Sequence, residues 1–345
     1  MKKLFAIVSV LMVVALLPVM IGCEREDRAQ RRQMTFHTGA VGGLYMESGI
    51  VFASQWERAV PGLRVDAILG GGISNPIHVS NASDPNSVVG VTDNVNISSA
   101  MAGTGDFAPP RVPAGGIQNL RALYRYNVMS WGAIIARPDA VPAGINTVRE
   151  LVENNPGRLR VTITTRGSTG DILARTVFGM LGYSYEDLER TLGWRISFDH
   201  PTDQGSLMID GHADIAIIVA RVPAAFVLDM DASIRGLRWL AVDTDIQDRM
   251  IAEHGWIAGY LPMGHYTNLT QEVPSVGLDH VVFVQQGMDE ELVFQMTKSV
   301  LSEPDRIRTS VPAMDEFDPS VAWTNTGFPL HPGAERAFRE LGFMR

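Results

Sequence analysis

Short β-prone apolar runs alternate with amphipathic stretches along most of the chain, which predicts an α/β fold with largely parallel sheets. Strands are expected at 34–37, 63–68 and 88–91, with a helix over 46–59 between the first two and a turn at Pro61-Gly62. Residues 120–124 and 131–136 read as two more strands, the second ended by Arg137-Pro138. Asn146-Thr147 caps a helix that runs to Asn154 and stops at Asn155-Pro156-Gly157. A strand over 160–164, a glycine loop over 165–170 and a helix over 172–181 then repeat the order of the opening unit, without repeating its sequence. That order predicts two lobes, each offering a glycine-bearing helix start.

Further strands are expected at 196–198, 213–219, 237–241 and 279–285, and a helix end at 206–211. Residues 245–274 show no regular period. Helices over 289–301 and 332–341 close the chain and are expected to pack on the first lobe. The expected division is 34–128 with 286–345 as lobe one and 129–285 as lobe two.

The N-terminus breaks this pattern. Lys2 and Lys3 precede an uncharged apolar run over 4–21, and Gly22-Cys23 closes it, which is the layout of a secretory signal over 1–22. The single cysteine stands where a bacterial lipobox places its lipidated residue, with Met20 an unusual neighbour three positions earlier. An uncleaved anchor is the alternative, because the run nearly suffices to span a bilayer. Residues 23–33, with Arg25, Arg28, Arg31 and Arg32, read as a flexible tether between lipid and fold. The expected location is the periplasm, with membrane contact only through the lipid on Cys23. One cysteine permits no intramolecular disulfide, so packing must hold the fold.

Composition narrows the function. At 345 residues and 46% apolar content the chain can bury a sizeable core. Loss of residues 1–22 takes away Lys2 and Lys3 and moves the formal charge from −9 to −11, which argues against nucleic acid and against a polybasic membrane contact. The sequence contains no Walker A, HExxH or GxSxG motif and no Cys/His cluster suited to zinc, so binding is the better starting point and neither metal nor cofactor is expected. His37, His200 and His331 read as polar structural residues.

Candidate chemistry gathers at glycine-bearing turns. Gly39, Gly42 and Gly43 precede the first helix, where backbone N–H groups can face an anion or simply make a strand-to-helix turn. Gly70-Gly71-Gly72 leads into Ser74 and Asn75, both hydrogen-bonding side chains. Asp93, at a strand's C-terminal end, suits an ammonium group or a helix cap. Arg166, Ser168, Thr169 and Gly170 bring a guanidinium, hydroxyls and N–H groups to one helix start, and Arg221 is a candidate second cation; each suits a carboxylate or phosphate.

Taken in order, 38–45, 71–75, 90–93, 120–124, Gly167-Ser168, 210–214 and 331–335 resemble the solute receptors of tripartite ATP-independent periplasmic (TRAP) transporters, specifically the TAXI family. The resemblance covers most of 34–345. It implies a two-lobed, type II periplasmic-binding-protein fold that closes on a small organic acid such as glutamate or 2-oxoglutarate and delivers it to separate TRAP membrane permease subunits. On that reading Tyr45 and Trp131 flank the ligand. The family usually has Pro at the place of Arg166, and a glycine-rich segment where this chain has Ala220-Arg221-Val222-Pro223. Two added arginines point to a dicarboxylate. Residues 155–159 also resemble receptors of tripartite tricarboxylate transporters. A ligand-presenting sensor subunit, and a secreted hydrolase using Ser74 or Ser168, are the rival classes.

Overall fold

The computed structural model describes residues 32–345. The expected signal at 1–22, Cys23 and most of the tether lie outside the described residues. Arg32 and Gln33, assigned to the tether, instead begin the first strand, where they pair with Leu63 and Arg64.

Two sheets organise the chain. The first has five strands in the order β2-β1-β3-β12-β4: β1 (Arg32–His37), β2 (Leu63–Ile68), β3 (Val88–Asp93), β4 (Leu120–Arg125) and β12 (His280–Gln285). Helices Leu44–Ala59 and Ser74–Ser80 connect β1 to β2 and β2 to β3, so β2-β1-β3 is a parallel set. The second has seven strands: β5 (Ser130–Ala136), β6 (Arg160–Thr164), β7 (Arg195–Asp199), β8 (Ile215–Arg221), β9 (Arg238–Leu240), β10 (Ile257–Tyr260) and β11 (Pro274–Leu278). Helices Thr169–Met180 and Pro201–Ile209 make β7-β6-β8 its parallel set.

Both sheets are therefore mixed, where mainly parallel sheets were expected. Parallel neighbours need a crossover connection. Strands that arrive through a short link from the other sheet, such as β5 and β12, carry no such requirement and pair antiparallel.

The chain crosses between the sheets at 126–129 and again at Asp279. That second crossing corrects the expected division. The expected boundary puts the strand near 280 in lobe two, yet β12 lies between β3 and β4 of the first sheet with all six residues buried. A continuous apolar run announces a buried strand but not which sheet buries it.

Each sheet is covered on both faces. Val282 and Val284 face one apolar layer with Phe36, Phe52 and Trp56, while Val281 and Phe283 face another with Phe107 and Phe328. Ile215 and Ile217 against Ala216 and Ile218 divide the second sheet in the same way. Helices Glu290–Leu301 and Pro332–Glu340 pack on the first sheet, as expected from their apolar stripes. The irregular region resolves into helix Thr244–His254 and strands β10 and β11. No helix among the described residues is long and apolar enough to cross a membrane.

The His331-Pro332-Gly333 segment is structural. His331 is buried, its Nδ1 accepts from the Gly333 N–H at 3.2 Å, and its Nε2 donates to the Met288 carbonyl at 3.1 Å. A Cβ on Gly333 would lie 2.2 Å from the Glu290 carbonyl oxygen, so the two terminal helices touch through backbone. Gly333→Ala should therefore destabilise the protein by about 1–3 kcal/mol through overpacking, read as a lower urea midpoint at unchanged slope. An unchanged midpoint would show that the helices separate without cost.

Candidate functional site

Four helix starts meet between the two sheets. A narrow crevice of about 80 Å³ is lined by Gly43, Leu44 and Tyr45, by Gly70 to Gly72, by Ser168, Thr169 and Gly170, and by Pro201. These are the entrances of helices Leu44–Ala59, Ser74–Ser80, Thr169–Met180 and Pro201–Ile209. Among the described residues, the first, second and fourth have no side-chain cap. Among the described residues, the N–H groups of Leu44, Tyr45, Thr169 and Gly170 have no acceptor. Unpaired helix-start N–H groups carry partial positive charge, and several aimed at one space favour an anion there.

The waist is tight because the lobes touch. A Cβ on Gly71 would sit 3.1 Å from the Gly167 carbonyl oxygen, and one on Gly42, whose φ is +75°, would sit 2.7 Å from Thr202. Gly42 thus lies beside the crevice and closes it by backbone approach.

Beneath the waist runs a buried chain of polar groups. The Asp93 carboxylate accepts from the Asn96 N–H at 2.9 Å, the Asn96 amide at 2.8 Å, the Thr169 hydroxyl at 2.9 Å and the Tyr45 hydroxyl at 3.2 Å. It caps helix Asn94–Ala102 and also joins the lobes through Thr169. Burial raises its pKa, and the converging donors oppose that rise. The Tyr45 hydroxyl also meets His280 Nδ1 at 3.1 Å, and His280 Nε2 meets the Ser130 hydroxyl at 2.6 Å. With Tyr45 donating to Asp93, the consistent assignment has His280 Nδ1–H donating to Tyr45 and Nε2 accepting from Ser130.

Ser130 and His280 both line the crevice, and neither is marked by local sequence. Their signal is tertiary: each stands at a crossing between sheets. Their geometry is that of a nucleophile and its base, but burial pushes the His280 pKa down to about 3, which makes it a weak base at neutral pH. Ser168, a hydrolase candidate, caps its own helix by accepting from the Asp171 N–H at 3.3 Å.

Other expected site residues are placed differently. Asn75 is fully buried; its amide donates to the carbonyls of His37, Thr38 and Val91, and its oxygen accepts from Gly71. It pins the glycine loop to the strand ends and offers a ligand nothing. Trp131 lies on the opposite face of β5 from Ser130 and packs on Gly259 and Gly277. Alternation along a strand puts adjacent residues on opposite sides, so the expected aromatic wall is one residue out of phase. Arg221 is only 7% exposed and already paired, with Asp315 at 2.9 Å, Glu316 at 2.8 Å and the Ala313 carbonyl at 3.1 Å. It clasps the second sheet to the first lobe's C-terminal segment.

Two wider chambers flank the waist. One, of about 350 Å³, has mostly apolar walls and reaches Arg221 and Pro312. The other, of about 590 Å³, is lined by Ser74, Arg166 and Arg175 among others. Ser74 bonds back to the Gly71 carbonyl at 3.3 Å. No cluster of metal-ligating side chains occurs among the described residues.

The buried imidazole makes stability depend on pH. With a native pKa near 3 against 6.5 for the free group, the unfolded chain takes up a proton that the native chain refuses as pH falls below 6.5. Stability then drops by up to roughly 1.4 kcal/mol per pH unit. Burial lowers His37 and His331 too, while the raised Asp93 and Asp279 act in the opposite sense. Urea unfolding of wild type and His280→Gln isolates the contribution: the variant should lose stability less steeply between about pH 6.5 and 4.5, and equal slopes would refute it.

Comparison with known proteins places this geometry. The structure resembles the periplasmic binding protein BugD with a TM-score of 0.53 at 15% identity, covering 91% of this chain and 98% of that one. MatC from Rhodopseudomonas palustris, solved with bound malate, matches at a TM-score of 0.49 and 14% identity, covering 90% and 97% of the two chains. The architecture is the type II periplasmic-binding-protein fold. The profile of the NMT1-like family matches residues 36–342, and the chain belongs to that family.

Proposed function

We propose that the protein is an extracytoplasmic solute receptor that captures a small organic acid between its lobes and delivers it, chemically unaltered, to a membrane permease. The observation that carries this reading is the set of helix-start N–H groups from both lobes that have no acceptor among the described residues and belong to residues lining one crevice. A carboxylate in the waist accepts from donors of both lobes at once and so favours the closed form. Closure excludes water and lowers the local dielectric, which strengthens each of those hydrogen bonds.

The TAXI-like segments support a receptor of the TRAP type, with glutamate or a dicarboxylate such as 2-oxoglutarate as the class of solute. The signal-like N-terminus with Cys23 supports a periplasmic, lipid-anchored location. Of the two arginines expected to add charge to the cleft, Arg166 is available for that role and Arg221 is neutralised.

Native mass spectrometry of the purified protein should detect a co-purified small carboxylate. A thermal-shift screen should raise the melting temperature by roughly 5 °C at a hundredfold excess over the dissociation constant. A protein that carries no acid and responds to none contradicts the reading. Deleting the gene should abolish sodium-dependent uptake of the acid so identified; intact uptake points to a sensor role instead.

A further inference from the structure

The wider, polar chamber has a charge at odds with the rest of the chain. It shares Gly70 and Gly71 with the waist, and three arginines face two aspartates there, Asp106 and Asp171, in a protein of formal charge −9. Arg175 is occupied, at 2.6 Å from Asp106 and 3.3 Å from Asp171, and Arg111 lies 3.7 Å from Asp106. Arg166 makes no hydrogen bond or ion pair among the described residues. Its guanidinium carbon lies 3.9 Å from the centroid of the Phe198 ring and 5.8 Å from that of Tyr185. An aromatic shelf of this kind holds the cation by its face and leaves its N–H edge free, the arrangement suited to taking both oxygens of a carboxylate.

The rest of the crevice directs a second negative charge toward Arg166. The waist, at about 80 Å³, is much the narrowest of the three spaces and opens through Gly70 and Gly71 into the chamber that holds Arg166. The opposite chamber is walled by Ile218, Val219, Pro223 and Phe226, and its arginine is held by Asp315 and Glu316. A second negative charge entering there meets mostly apolar walls and the Glu47 carboxylate.

Building on the solute-binding reading, we propose that this outer chamber is a distal-anion subsite. The ligand is an extended dianion, with one acid group on the N–H groups of the waist and the other held by Arg166. Arg166 thereby sets specificity for two-headed acids over one-headed ones.

Isothermal titration of wild type, Arg166→Ala and Arg166→Lys against α,ω-dicarboxylates of increasing length, each beside the monocarboxylate of equal length, tests this. Wild type should bind at least one dicarboxylate about tenfold or more tightly than its one-headed counterpart. Arg166→Ala should bring that ratio close to one, and Arg166→Lys should restore part of it. A ratio unchanged in Arg166→Ala, or a wild type that prefers monocarboxylates, overturns the subsite while leaving a solute receptor in place. A wild type that binds no carboxylate of any kind overturns both.

Discussion

Helix starts gathered around one small space carry partial positive charge on their unpaired N–H groups and so repel one another. Asp93 is what the fold sets against that repulsion. Its buried carboxylate sits at the end of β3, caps the next helix by accepting from Asn96, and accepts from Tyr45 and Thr169 of the two lobes. Beside it the N–H groups of Leu44, Tyr45, Thr169 and Gly170 have no acceptor among the described residues and carry partial positive charge. A closed crevice that attracts anions follows from this one arrangement.

The network extends from Asp93 to both crossings between the sheets. Tyr45 leads to His280 at the start of β12, and His280 leads to Ser130 at the start of β5. Arg125 and Asp279 form a second tie at the returning crossing, 2.5 Å apart and largely buried. Relative motion of the lobes must therefore pass through strands whose ends are hydrogen-bonded to the residues lining the crevice.

Contacts farther from the waist divide the crevice by character. Arg221 clasps Asp315 and Glu316 and so leaves the chamber beside it effectively apolar, whereas Arg166 rests on Phe198 and keeps its charge available. Two arginines beside the same crevice, one closing β8 and one in the loop after β6, thus have opposite consequences. The difference lies in what each finds across the gap.

The local elements were legible in the sequence. Apolar alternation, the helix cap at Thr147 and the glycine turns before 44, 74 and 169 are properties of neighbouring residues, and they appear where chain geometry requires them. What only the tertiary structure decided depends on residues far apart in the chain. β12 reads as a buried strand in either sheet until β3 and β4 enclose it; Ser130 and Trp131 exchange roles according to the face that β5 presents; Arg221 is a free cation until a segment 94 residues away supplies Asp315. Hydrophobic period and turn chemistry act over a few residues, whereas the pairing of buried charges and the choice of sheet are settled only when distant surfaces meet.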